Sequence, residues 1–127
     1  MDTATLVAWE LAKGGKVLEI LDRAGMKIPI ALWVHLPDYE DWRFLLASPQ
    51  FDRAAPAKPY RLVRDALDKE GFPVEQTPTL LIYEMNTPFI RSLRRLYGKA
   101  KNTEGMRLGP ETIGDRYLQD ALVYRIQ

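Results

Sequence analysis

Apolar and polar positions alternate with two different periods along this chain, and the switches between them outline the fold. From residue 4 to 24, Leu6, Trp9, Val17, Ile20, Leu21 and Ala24 fall mainly on one face of a helix. Gly14 and Gly15 interrupt that pattern, each at about 1 kcal/mol relative to alanine, so a bend or a split is expected there. Gly25 supplies a left-handed stop, with Met26 placed to pack back on the last turn.

Residues 28–36 and 42–48 read as two strands of a β-hairpin. A five-residue loop, 37–41, would set Leu36 opposite Trp42, Val34 opposite Phe44, Leu32 opposite Leu46 and Ile30 opposite Ser48. The other face would pair His35 with Arg43, Trp33 with Leu45 and Ala31 with Ala47. Consistency of each face is the usual determinant of register.

A proline-punctuated loop, 49–59, precedes a helix from about Pro59 to Glu70 that buries Tyr60, Val63, Ala66 and Leu67. Gly71 and Pro73 end it. Residues 79–84, TLLIYE, form a third strand. Thr87 offers a side-chain N-cap and Pro88 the first position of a helix reaching about residue 101. Residues 102–115 are rich in glycine and polar groups, with a short strand at 105–108. In the closing segment, Leu122, Tyr124 and Ile126 alternate with Ala121, Val123 and Arg125, as in a strand; helical spacing of Leu118, Ala121 and Leu122 leaves a helix open.

The order is α-β-β-α-β-α-(β)-β. It implies an α+β fold: one mostly antiparallel sheet of four to five strands with three helices, all within a single domain, 1–127.

Composition narrows function more than it names it. With 127 residues, 46% hydrophobic and 28% charged, the chain is an ordinary globular sequence. It has no cysteine, which excludes disulfides, thiol catalysis and thiolate metal sites. Ser48 and Ser92 are the only serines, and neither lies in a nucleophile-elbow motif. The amino terminus carries an early aspartate and lacks the pattern of a signal peptide. The longest apolar run, Ile28 to Leu36, is well short of the roughly 20 residues of a membrane span. A cytoplasmic protein without membrane association is expected.

The stretch ALWVHLPDYEDWRFLL holds the only histidine, His35, followed by Asp38, Glu40 and Asp41. Clustered carboxylates with a histidine could hold a hard cation, and a metal-dependent hydrolase at 35–41 is a remote reading. The spacing does not match a metal-dependent nuclease motif, and aspartate after proline is ordinary turn chemistry. A solvated hairpin turn is therefore the preferred reading. No catalytic, cofactor-binding or metal-ligating set is assigned. AKGGKV lacks P-loop spacing.

The segment with distinctive chemistry is PFIRSLRRLYGKAKN. Phe89, Ile90, Leu93, Leu96, Tyr97 and Ala100 occupy a sector of roughly 120°. Arg91, Arg94, Arg95 and Lys101 lie opposite, with Lys99 at the edge. Net charge is +1; without these five cations the rest of the chain carries −4, so the charge is segregated. Such a surface could contact an acidic partner or phosphate, or could simply be solvated. A second candidate protein interface is the sheet face bearing Trp33 and Leu45, which needs either a helix or a partner to cover it. A homodimer or an obligate partner is the expectation if no helix does.

LDRAG, ALWVHLPDYEDWRFLLASP and GMRL…TIGDRYLQDALVYRI together resemble a family of small uncharacterised bacterial proteins, with Gln119 departing from its pattern, which has an acidic residue there. The resemblance implies a bacterial, cytoplasmic setting and transfers no activity. The expected function is a non-enzymatic protein-interaction module, with nucleic-acid binding through the basic helix as the alternative.

Overall fold

Seven short strands and three helices are arranged as an α+β fold in the computed structural model, which describes residues 6 and 8–127. α1 (Ala8–Arg23) leads into β1 (Ile30–His35) and β2 (Arg43–Ala47). α2 (Lys58–Lys69), β3 (Leu80–Tyr83) and α3 (Pro88–Tyr97) follow. β4 (Arg107–Leu108), β5 (Glu111–Ile113), β6 (Arg116–Leu118) and β7 (Asp120–Ile126) complete the chain. The main sheet has the order β3-β2-β1-β7-β4, and β5 and β6 form a separate hairpin. The sheet is mixed: β2 and β3 run parallel, and the other three pairings are antiparallel. Part of the expected start of α1, residues 4, 5 and 7, lies outside the described residues.

Each face of the sheet carries its own apolar layer. Ala31, Trp33, Phe44 and Leu46 pack under α1 and α2, with Val17, Leu21, Val63 and Leu67 descending from the helices. Ile30, Leu32, Val34, Leu45 and Val123 pack on the opposite side, under Phe89, Ile90 and Leu93 of α3 and under Ile113 and Leu118 of the β5–β6 hairpin.

The β1–β2 hairpin forms, but its register is one residue away from the expected one. Ile30 pairs with Ala47, Leu32 with Leu45, Trp33 with Phe44 and Val34 with Arg43. Pairing ends at Val34–Arg43, so the connection, 36–42, is longer than the expected 37–41, and the His35 ring lies 5.6 Å from that of Trp42. A one-residue slip exchanges the faces of an entire strand. Here both faces of both strands are buried, so the slip exchanged one apolar set for another and apolar patterning could not select between them.

Helix stops follow the expected chemistry. Gly25 (φ +83°) and Gly71 (φ +71°) both adopt the left-handed conformation. Met26 N–H returns to the Leu21 carbonyl, and Phe72 N–H to that of Leu67. α1 is continuous through Gly14 and Gly15, so the helix is not split there. A Cβ at Gly14 would lie 2.8 Å from Trp33 Nε1 and 3.1 Å from the Tyr124 hydroxyl. Gly14 thus lets the helix backbone settle onto the sheet, where Trp33 Nε1 donates to Tyr124 Oη at 3.2 Å and that hydroxyl donates to the Leu11 carbonyl.

The last segment is a strand, and its simple alternation is broken. The β1–β7 register shifts between Ala31–Arg125 and Leu32–Val123, leaving Tyr124 as the extra residue of a bulge. Ile126 therefore joins Val123 on the α3 side, while Leu122 and Tyr124 pack on the α1 side. Thr87 occupies the N-cap position of α3, yet its hydroxyl donates to the Glu84 carbonyl and makes no cap bond.

Candidate functional site: the basic face of α3

α3 divides sharply into two faces: Phe89, Ile90, Ser92 and Leu93 are buried, and Arg91, Arg94 and Arg95 are exposed. The helix ends at Tyr97, short of the expected residue 101. A Cβ at Gly98 would come 2.5 Å from the Arg94 carbonyl, so glycine suits this close turn. The chain then folds back toward β7, where the buried Thr103 hydroxyl accepts from Ile126 N–H at 3.1 Å.

This early end divides the five predicted cations. Arg91, Arg94, Arg95 and Lys99 line one open hollow of about 480 Å³, together with Gly98 and Gln127. Lys101 faces a neighbouring hollow, beside Glu104. Among the described residues none of these five cations forms an ion pair with an acid. Arg94 Nε donates to the main-chain oxygen of Gln127 at 2.9 Å, and Arg95 reaches Ser92 Oγ at 3.4 Å. Arg23, Arg64, Arg107, Arg116 and Arg125 each hold a carboxylate, whereas Arg43, Arg53 and Arg61, like these five cations, have no ion pair among the described residues. Residues 86–102 contain no acid, so no neighbour within this segment can pair with its cations.

Leu96 departs from its expected place in the apolar stripe. It is 54% exposed and next in sequence to Arg95. The basic face thus carries an uncovered apolar side chain at its margin.

The second sequence candidate is not a surface. Trp33 is 2% exposed and Leu45 is fully buried, and they lie on opposite faces of the sheet. The register slip separated them, and the chain's own helices and hairpin cover both faces. The dimer expected through an uncovered Trp33–Leu45 face has no such face to use.

The 35–41 turn disperses its carboxylates. Asp38 Oδ2 accepts from Arg116 at 3.1 Å, and Glu40 and Asp41 are exposed. His35 Nε2 lies 3.3 Å from the Glu40 carbonyl. Among the described residues no three acids or imidazoles gather as a metal site. Asp41 instead lines a cleft of about 330 Å³ with Trp9, Glu10, Lys13, Trp42 and Thr79. Lys13 Nζ sits 4.1 Å from the centre of the exposed Trp9 ring. Sequence reasoning missed this cleft because its walls come from α1, the β1–β2 connection and the approach to β3. Trp9, which fits the apolar stripe of α1 by angle but stands exposed, was the available signal.

Among the described residues no helix is long and apolar enough to cross a membrane. No family model, curated protein or solved structure matches the chain.

Proposed function

We propose that this chain is a non-enzymatic protein-interaction module of the bacterial cytoplasm, and that the basic face of α3 docks an acidic surface of a protein partner. The observation that carries the reading is the gathering of Arg91, Arg94, Arg95 and Lys99 into one hollow, where among the described residues no Asp or Glu side chain pairs with them. Arginine forks suit paired contacts with carboxylates, and unpaired charges of one sign steer an oppositely charged partner. Exposed Leu96 favours a protein over a phosphate backbone, because interfaces combine arginine with desolvated apolar contacts. The dispersal of Asp38 and Asp41 to separate surroundings supports a non-enzymatic reading over a metal-dependent hydrolase.

Nucleic-acid binding is the second reading, supported by the same four cations. The two separate in titrations of a labelled acidic peptide containing leucine, a labelled duplex and a labelled single strand at low salt. The peptide is expected to bind, and replacing Arg91, Arg94 and Arg95 together by glutamine to abolish its binding without altering the fold, since all three side chains are exposed. Leu96→Ser should weaken the peptide and leave oligonucleotides unaffected. Tighter binding of an oligonucleotide, with log K falling against log salt at a slope near about −4, would move the assignment to nucleic acid. Failure of all three probes would leave the basic face as solvated surface and end the proposal.

A further inference from the structure

β3 is an edge strand with a composition that edges usually avoid. Its four residues are Leu80, Leu81, Ile82 and Tyr83, all only half-buried, with β2 on one side and, among the described residues, no strand on the other. Unpaired apolar edges can pair with another chain, and proteins usually blunt them with short strands, charge, proline or a bulge; β3 is short, but no charge or proline lies within it.

The hydrogen-bond pattern shows which groups face outward. Phe44 N–H donates to the Thr79 carbonyl at 2.8 Å, so Thr79 faces β2. Alternation places Leu81 and Tyr83 toward β2 as well, and Leu80 and Ile82 toward the open edge. The observed outward contact agrees: Ile82 N–H donates to the Tyr60 hydroxyl at 3.1 Å. Tyr60, expected in the core of α2, is instead exposed and closes the centre of this edge. Beside it lies an open apolar hollow of about 510 Å³, lined by Arg61, Val74, Pro78 and Leu80, with Val74 65% exposed.

We propose that β3 is a homodimerisation edge, pairing antiparallel with β3 of a second copy across a two-fold axis normal to the sheet. In this arrangement Leu80 of each copy lies opposite Ile82 of the other. The outward N–H and C=O groups of both residues then find partners, with Tyr60 releasing Ile82 N–H. The two five-stranded sheets become one continuous sheet.

The charges at the two ends of β3 identify a second copy as the occupant. Glu84 follows the strand at one end, on the α2 side by alternation with Leu80 and Ile82. Arg61 borders the other end, also on the α2 side. Both are exposed, and neither has an ion-pair partner among the described residues. An axis normal to the sheet keeps the α2 faces on the same side and reverses the strand direction. Glu84 of one copy therefore arrives beside Arg61 of the other, twice per dimer. This surface is separate from the basic face of α3, and the proposal does not rest on that reading.

Sedimentation velocity across micromolar to sub-millimolar concentrations tests the dimer. The wild-type chain should show a reversible monomer–dimer equilibrium. Glu84→Arg and Arg61→Glu should each weaken it by about tenfold, because each places like charges together. The combined variant should return to within a few-fold of wild type, and the circular dichroism spectra of all three variants should be unchanged. Tyr60→Phe should tighten the dimer by leaving Ile82 N–H without its internal acceptor. A wild-type chain that stays monomeric throughout would overturn the proposal. So would a dimer whose two single charge reversals add in the combined variant instead of cancelling.

Discussion

Gly114→Ala is expected to destabilise the fold by about 2–4 kcal/mol and to weaken binding at α3 with it. Gly114 sits in the β5–β6 turn at φ +61°, where a side chain strains the backbone. Its Cβ would also lie 2.6 Å from the Pro88 carbonyl oxygen and 3.0 Å from Phe89 N. These are backbone atoms of the first turn of α3, so no rotamer change can relieve the contact. Either the hairpin withdraws and uncovers Ile113 and Leu118, or the helix shifts and moves Arg91 and its neighbours. Gly105→Ala is the matched control. Gly105 is also left-handed, at φ +84°, and a Cβ there would meet nothing within 4 Å. It should lose only the conformational part, about 1–2 kcal/mol. Urea denaturation of the two variants separates the terms, and equal losses would mean that the hairpin does not bear on α3 as described.

Phe44→Ala should be more damaging, at about 3–5 kcal/mol. Phe44 is fully buried in β2, between β1 and β3. Its ring lies 5.1 Å from that of Trp33 and 5.4 Å from that of Tyr124, in tilted and edge-on arrangements. Truncation opens a cavity among rigid rings that cannot collapse readily, and it removes one wall of the contact that seats Gly14 of α1. Chemical denaturation followed by tryptophan fluorescence should show the loss, with Trp33 reporting on the site. A loss below about 1.5 kcal/mol would mean that the site repacks, as volume-conserving core changes do.

What can be read from the sequence divides along physical lines. Helix limits at Gly25 and Gly71 are legible because a left-handed stop needs particular residues. The existence of the β1–β2 hairpin is legible from apolar runs flanking PDYED. Its register is not, because Ala31, Trp33, Phe44 and Leu46 make as good a buried face as Ile30, Leu32, Val34 and Leu45. The β5–β6 hairpin reads as irregular, since its strands are three residues long and Ile113 and Leu118 alone carry its apolar signal. Tyr60 and Leu96 fit apolar stripes by angle, yet their cover depends on neighbours far along the chain. The same contrast holds for function. The basic face is local to one helix, and its lack of acids shows directly in residues 86–102. The cleft beside Trp9 and the dimer edge at β3 are assembled from separated segments and require the fold.

The basic face of α3 is the proposed meeting point of the protein and its partner. The most direct measurement is the map of backbone amide shifts as the leucine-bearing acidic peptide is titrated into labelled protein. The largest changes are expected on residues 88–101 and on Gln127, with Leu96 among them, and they should vanish when Arg91, Arg94 and Arg95 are glutamine. Largest changes at Trp9, Lys13, Asp41 and Thr79, or shifts at α3 that persist in the glutamine variant, would contradict that proposal.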